Sequence, residues 1–260
     1  MKRIVQEGTK NRAWGRTCPS PSPGIVLALV LGVTSGPVLA HGTLNAFYGG
    51  QVVEGNGGWR IECAVREGGV RIWVRDHADG PVATEQLSGK MTILTGGRKH
   101  DLVLTAHGTA LMAEVPLTAA DKVTAVATLL VAGKPVSARF AQEVVVMPTL
   151  TTRAQAGRQA FETVCAGCHG VSLRGTDQGP PLLHPFYAPG SGYGDETFLS
   201  AMAGGAKSHH WKFGDMPKPE GLAAGTDKAI LDYIRALQAA NGLAATEANT
   251  QGRRPRRDGS

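Results

Sequence analysis

Between about Gln51 and Val146 the chain alternates apolar and polar residues in short runs, the period-two pattern of half-buried strands. Trp59 to Arg66 and Val70 to Asp76 alternate on either side of Glu67-Gly68-Gly69, which reads as a hairpin turn. Further runs follow at Met91 to Thr95, Asp101 to Thr105, Thr109 to Val115, Val123 to Val131 and Val136 to Phe140, punctuated by Gly96-Gly97, His107-Gly108 and Gly133-Lys134-Pro135. Regularly spaced short strands with turn signals between them predict an antiparallel β-sandwich of the Ig-like kind over residues 41–147. Ile61, Cys63 and Val65 then share one face, with Ile72 and Val74 suited to the matching face of the next strand. On that face Cys63 is expected to be a small buried hydrophobe rather than a redox thiol.

The period changes after Pro148. Residues 148–153 read as a linker, and Thr152 with Gln155 three residues on forms a capping-box pattern. Helical spacing continues from there through Val164. The chain from Gly170 to Pro219 is rich in Gly and Pro, with one helix expected near Glu196 to Ala203. Thr226 is placed to cap a last helix carrying Ile230, Tyr233, Ile234 and Leu237 on one face and stopped by Asn241-Gly242. A second, all-α domain is therefore expected over residues 154–243.

The two ends differ from both regions. Five basic residues (Lys2, Arg3, Lys10, Arg12, Arg16) precede an apolar run from Ile25 to Val33 and small residues ending at Val38-Leu39-Ala40. That is the layout of a secretory signal peptide over residues 1–40. The 17 residues from Gly24 to Ala40 fall short of the roughly 20 apolar residues a spanning helix needs, so cleavage rather than stable membrane insertion is expected. The net charge of +6 sits mainly at the ends: residues 41–150 hold ten basic and ten acidic side chains, and residues 151–243 hold eight of each. The one basic cluster, Arg253, Arg254, Arg256 and Arg257, lies in a tail (residues 244–260) of disordered composition. Nucleic-acid binding, which needs basic residues gathered on a folded surface, is not expected.

Cys165-Ala166-Gly167-Cys168-His169 has the spacing of a c-type haem attachment site. At this chain's composition the pattern arises by chance with a probability on the order of 0.002, so coincidence is a weak competitor. Each thiol can add to one haem vinyl group as a thioether, and the adjacent imidazole is delivered to the iron. A zinc site would want a second ligand pair, and the later chain offers no further cysteine. A thiol-exchange motif has no use for the following histidine. With Cys18 removed in the leader, Cys63 is left as the only free thiol and no intramolecular structural disulfide is expected.

Over residues 151–243 the sequence resembles the class I (mono-haem) cytochrome c family. Gly157 and Phe161 match the family's small-plus-aromatic pair where the first helix crosses the last, and Tyr233 matches the aromatic on that last helix. Gly179-Pro180-Pro181-Leu182 matches the loop whose proline carbonyl accepts a hydrogen bond from the proximal histidine, which implies that role for Pro180. Gly214-Asp215-Met216-Pro217 resembles the distal-ligand loop and implies Met216 as the second axial ligand. Other side chains of this region that could reach an iron are Met202, His184, His209 and His210. Met202 follows Phe198 and Leu199 at core-facing helical spacing, so packing is its expected role.

The resulting expectation is a periplasmic electron-transfer protein rather than an enzyme, carrying one covalent haem c per chain held by Cys165, Cys168, His169, Pro180 and Met216. Its partners would be redox proteins, donor and acceptor, and it could serve as a subunit of a periplasmic oxidoreductase system. With two protein axial ligands the iron has no open position, which favours electron transfer over oxygen chemistry. An alternative is a haem-linked copper-binding or sensing protein. Cleavage after Ala40 would make His41 the new N-terminus, able to chelate copper with help from His77, His100, His107 or Asp76.

Overall fold

The computed structural model describes residues 44–243. The expected signal peptide with Cys18, the proposed N-terminal His41 and the basic tail lie outside the described residues.

Eight strands form: β1 (Gln51–Glu54), β2 (Arg60–Arg66), β3 (Gly69–Arg75), β4 (Leu87–Thr95), β5 (Arg98–His107), β6 (Ala110–Glu114), β7 (Val123–Val131) and β8 (Lys134–Gln142). Cys63 lies opposite Ile72 and Ile61 opposite Val74, which brings the expected apolar faces together. The arrangement differs from an Ig-like pair of sheets. All eight strands belong to one antiparallel sheet, in the order β1-β2-β3-β6-β5-β4-β7-β8. The long β5 makes this possible: it pairs with β4 through Leu104 and with β6 from Thr105 onward, so one strand serves both halves. The sheet curls until its edge strands nearly meet. There the Gln51 side chain accepts from the Ala141 N–H at 2.8 Å, and Asn56 donates to the Pro135 carbonyl at 3.1 Å. Ile61, Ile72, Met91, Ile93, Leu111 and Leu129 fill the interior.

Four helices follow: α1 (Thr152–Val164), α2 (Ala166–His169), α3 (Asp195–Gly204) and α4 (Thr226–Ala240). The α1 cap is Thr151 rather than Thr152, its hydroxyl accepting from the Ala154 N–H at 3.2 Å. Gln155 turns back to the Leu150 carbonyl instead of closing a capping box. Thr226 does not cap α4 either. Gly225, at φ +80°, occupies the cap position in a left-handed conformation open to glycine.

Helices α1 and α4 cross at Gly157. A Cβ there would lie 1.9 Å from the Ala229 carbonyl oxygen, too close for any side chain, while Phe161 and Tyr233 pack beside the crossing with ring centres 5.5 Å apart. Gly157→Ala should therefore force the helices apart and cost about 3 kcal/mol of stability, the upper range for overpacking. Denaturant unfolding checks this, and a loss below about 1 kcal/mol would contradict so tight a crossing.

The sheet and helices share a buried polar contact. The outer face of β2 and β3 carries Glu62, Arg66, Arg71 and Arg75, and residues 44–50 lie across it. Glu62, fully buried, accepts from the Phe47, Tyr48 and Gly50 N–H groups at 2.8, 2.7 and 2.9 Å. Tyr48 stacks on Trp73 at 4.2 Å. From the helical side, Lys212 N–H donates to the Phe47 carbonyl at 3.0 Å. Among the described residues no helix is long and apolar enough to cross a membrane.

Candidate functional site

Cys165 closes α1 with its N–H on the Phe161 carbonyl, and the four-residue α2 then carries Cys168 and His169. Gly170, at φ +74°, ends that turn and sends the chain into a loop that comes back beneath it. The loop is tied to α2 by Gly175 N–H on the His169 carbonyl at 2.8 Å and by the Thr176 hydroxyl on the Cys168 carbonyl at 2.7 Å. Its far end places the Pro180 carbonyl 2.9 Å from His169 Nδ1. A carbonyl only accepts, so Nδ1 carries the proton and Nε2 keeps its lone pair. His169 is 8% exposed, and burial holds its imidazole below the ordinary range, with the Pro180 bond opposing. The ring is therefore neutral at pH 7.

His169, Cys165 and Pro180 line a cavity of about 440 Å³ whose walls include Phe161, Leu182 and Ile230. Met216 lines the same cavity. Its backbone is fastened to Ala206 by two hydrogen bonds of 2.8 and 2.9 Å. Gly205, at φ +79°, permits this approach, since a Cβ there would lie 2.6 Å from the Met216 carbonyl oxygen. Asp215 braces the loop from outside, accepting from Lys207 Nζ at 2.6 Å and Ser208 N–H at 2.9 Å.

Of the remaining candidates, Met202 is buried in the helical core and also reaches the cavity wall. His209 and His210 line the cavity, but both rings are engaged. His209 meets the Tyr193 hydroxyl and the Lys207 carbonyl, and His210 stacks on Phe186 at 4.0 Å. His184 faces a second cavity, toward the sheet, where burial pushes its imidazole down to about 4. Cys168 is exposed, while burial and the neighbouring Cys168 push the Cys165 thiol up to about 11.

Two residues that wall the cavity indirectly are not evident in the sequence pattern. Arg235 on α4 donates to Asp195 and to the Tyr187 and Tyr193 carbonyls, and the fully buried Gln238 donates to the Leu182 and Tyr187 carbonyls. The available signal was Gln238 itself, a polar residue four positions beyond Ile234 on an otherwise apolar stripe.

Of the expected copper ligands, His41 lies outside the described residues. Asp76 accepts from the Ala78 and Gly80 N–H groups and so shapes its own turn. His100 and His107 lie near opposite ends of β5. Among the described residues no group of three His, Cys, Asp or Glu side chains could hold a metal ion.

An apolar cavity with one neutral buried imidazole, a thioether in the opposing loop and a thiol at its wall fits a flat, apolar, iron-bearing macrocycle. It does not suit a free hydrophilic metal ion. Residues 154–238 match the family model described as Cytochrome c. No curated protein and no solved structure matches the chain.

Proposed function

We propose that the chain, with its cytochrome c domain at residues 154–238, is a periplasmic c-type cytochrome exported by the leader at residues 1–40. A single haem would be held covalently through Cys165 and Cys168, with His169 and Met216 supplying the protein ligands to its iron. The observation that carries this reading is the neutral His169, fixed by the Pro180 carbonyl at 2.9 Å, in one cavity with Met216.

When bound, haem supplies a one-electron ferric/ferrous couple. The chain's own residues do the rest. Pro180 fixes the imidazole tautomer and orientation, which makes His169 a stronger donor. Met216 contributes a soft thioether, which favours ferrous iron. Phe161, Leu182 and Ile230 exclude water from the cavity and lower the local dielectric. With His169 and Met216 both holding the iron, no position would be left for a substrate, which supports electron transfer between redox partner proteins over substrate turnover.

A reduced-minus-oxidised spectrum of the purified protein, repeated under carbon monoxide, tests this reading. The expected result is a c-type reduced spectrum that carbon monoxide leaves unchanged. A large carbon monoxide shift in the wild type would mean an open iron and would remove the assignment of two protein ligands.

A further inference from the structure

We propose that the β-sheet positions the axial histidine: Arg66 and Arg71, on its outer face, hold the 174–181 loop so that the Pro180 carbonyl stays on His169 Nδ1. The inference rests on the haem reading above and gives the sheet a part in setting the reduction potential.

Part of the hold on the loop is local: the Leu182 and Leu183 N–H groups both reach the Leu173 carbonyl, at 2.8 and 2.9 Å, and Thr176 N–H reaches the Gly179 carbonyl at 3.1 Å. Pro180 and Pro181 have no N–H, so these two residues donate nothing themselves. A second hold comes from the sheet. Arg66 is only 4% exposed, and its Nη1 donates to the Arg174 carbonyl at 3.1 Å while Nη2 donates to the Tyr48 carbonyl at 2.6 Å. Three residues on, Asp177 accepts from Arg71 Nε at 3.2 Å and lies 3.1 Å from Nη2, with Arg66 Nε at 3.7 Å. Gly49 completes the hold at Pro181: a Cβ on it would lie 2.2 Å from Pro181 Cδ. Gly49 is itself placed by Glu62, which takes the N–H groups of Tyr48 and Gly50 on either side.

Burying a guanidinium is a poor way to glue two regions together, because desolvation offsets most of the attraction. Its planar fork instead supplies direction, setting a carbonyl or carboxylate at a defined angle. Arg66 Nη1 also meets the Val65 carbonyl and Arg71 Nη1 the Val70 carbonyl of their own strands, which steadies the two guanidinium groups while their other contacts reach the loop and the segment beside it. The loop so held delivers one carbonyl to one imidazole nitrogen. Loosening it weakens the Nδ1–H donation, leaves His169 a poorer donor and disfavours ferric iron, so the potential should rise.

The test uses the full-length, haem-loaded protein with Asp177→Asn and, separately, Arg71→Gln. Asp177 is half exposed and Arg71 lies at the edge of the contact, so both variants should fold. Each should speed amide exchange in residues 170–181. Each should also raise the potential by at least a threefold change in the ferric-to-ferrous equilibrium, about 28 mV at 59 mV per tenfold for one electron. Asp177→Glu, which keeps the carboxylate, should stay near wild type. A charge acting through space would move the two variants in opposite directions, because one loses a negative and the other a positive charge. Opposite shifts, unmoved potentials or unchanged loop exchange would each overturn the proposal. A wild type that takes up no haem would overturn the haem reading as well, whereas haem uptake with unmoved potentials overturns this inference alone.

Discussion

Replacing both Cys165 and Cys168 with Ala should yield a protein whose pigment is stripped completely by denaturation and acid extraction, while the wild type keeps its pigment through both. The two thiols are three residues apart across the junction of α1 and α2, one at the cavity wall and one exposed. If haem is bound as proposed, each thiol would add across a vinyl double bond, its sulfur going to one carbon and its hydrogen to the other, so no oxidant would be needed. Burial pushes the Cys165 thiol up to about 11. Intact-mass measurement gives the sharpest reading: the wild type should carry the mass of one haem after unfolding, and the double variant none. Pigment that stayed with the unfolded double variant would remove covalent attachment, and with it the central assignment.

Met216→Ala should lower the reduction potential, open the iron to carbon monoxide and abolish the weak thioether-to-iron charge-transfer band of the oxidised protein. The loop should survive the change, because its fastening to Ala206 uses only backbone groups. What would be lost is the thioether, which as the proposed iron ligand would favour the ferrous state. The histidines lining the same cavity make the outcome discriminating. If His209 or His210 left its present partner and bound in place of Met216, the potential would fall without carbon monoxide binding. If the charge-transfer band were missing from the wild type, or unchanged in the variant, Met216 would have to be abandoned and the two histidines replaced in turn.

The strands were legible because burial on one side imposes a two-residue period, and Val123–Val131 matches its expected span residue for residue. The same period occurs in a pair of facing sheets and in one curled sheet, since it records only which residues point inward. What separates them is the change of partner within β5 at Leu104 and Thr105, and no residue type marks it. Helix starts were misplaced by single positions for a local reason: Thr151 and Thr152 are equally able to cap, and only backbone geometry chooses. The cytochrome c character of the helical region was legible because the Cys165-Ala166-Gly167-Cys168-His169 spacing is one that thioether attachment of a haem would require. Arg66 and Glu62 were not, because polar residues on the outer face of a strand read as solvated. Their burial comes from residues 44–50 and from a loop more than a hundred positions later in the chain.

Cys63 lies within the sheet interior, and burial pushes its thiol up to about 12. Compared with an ordinary cysteine it carries far less thiolate at neutral pH, and thiolate is the species that attacks disulfides. The sheet thus shelters the one sulfur that, among the described residues, lies outside the Cys165–Cys168 pair. Depth alone, with no partner sulfur, guards the chain against a mispaired crosslink.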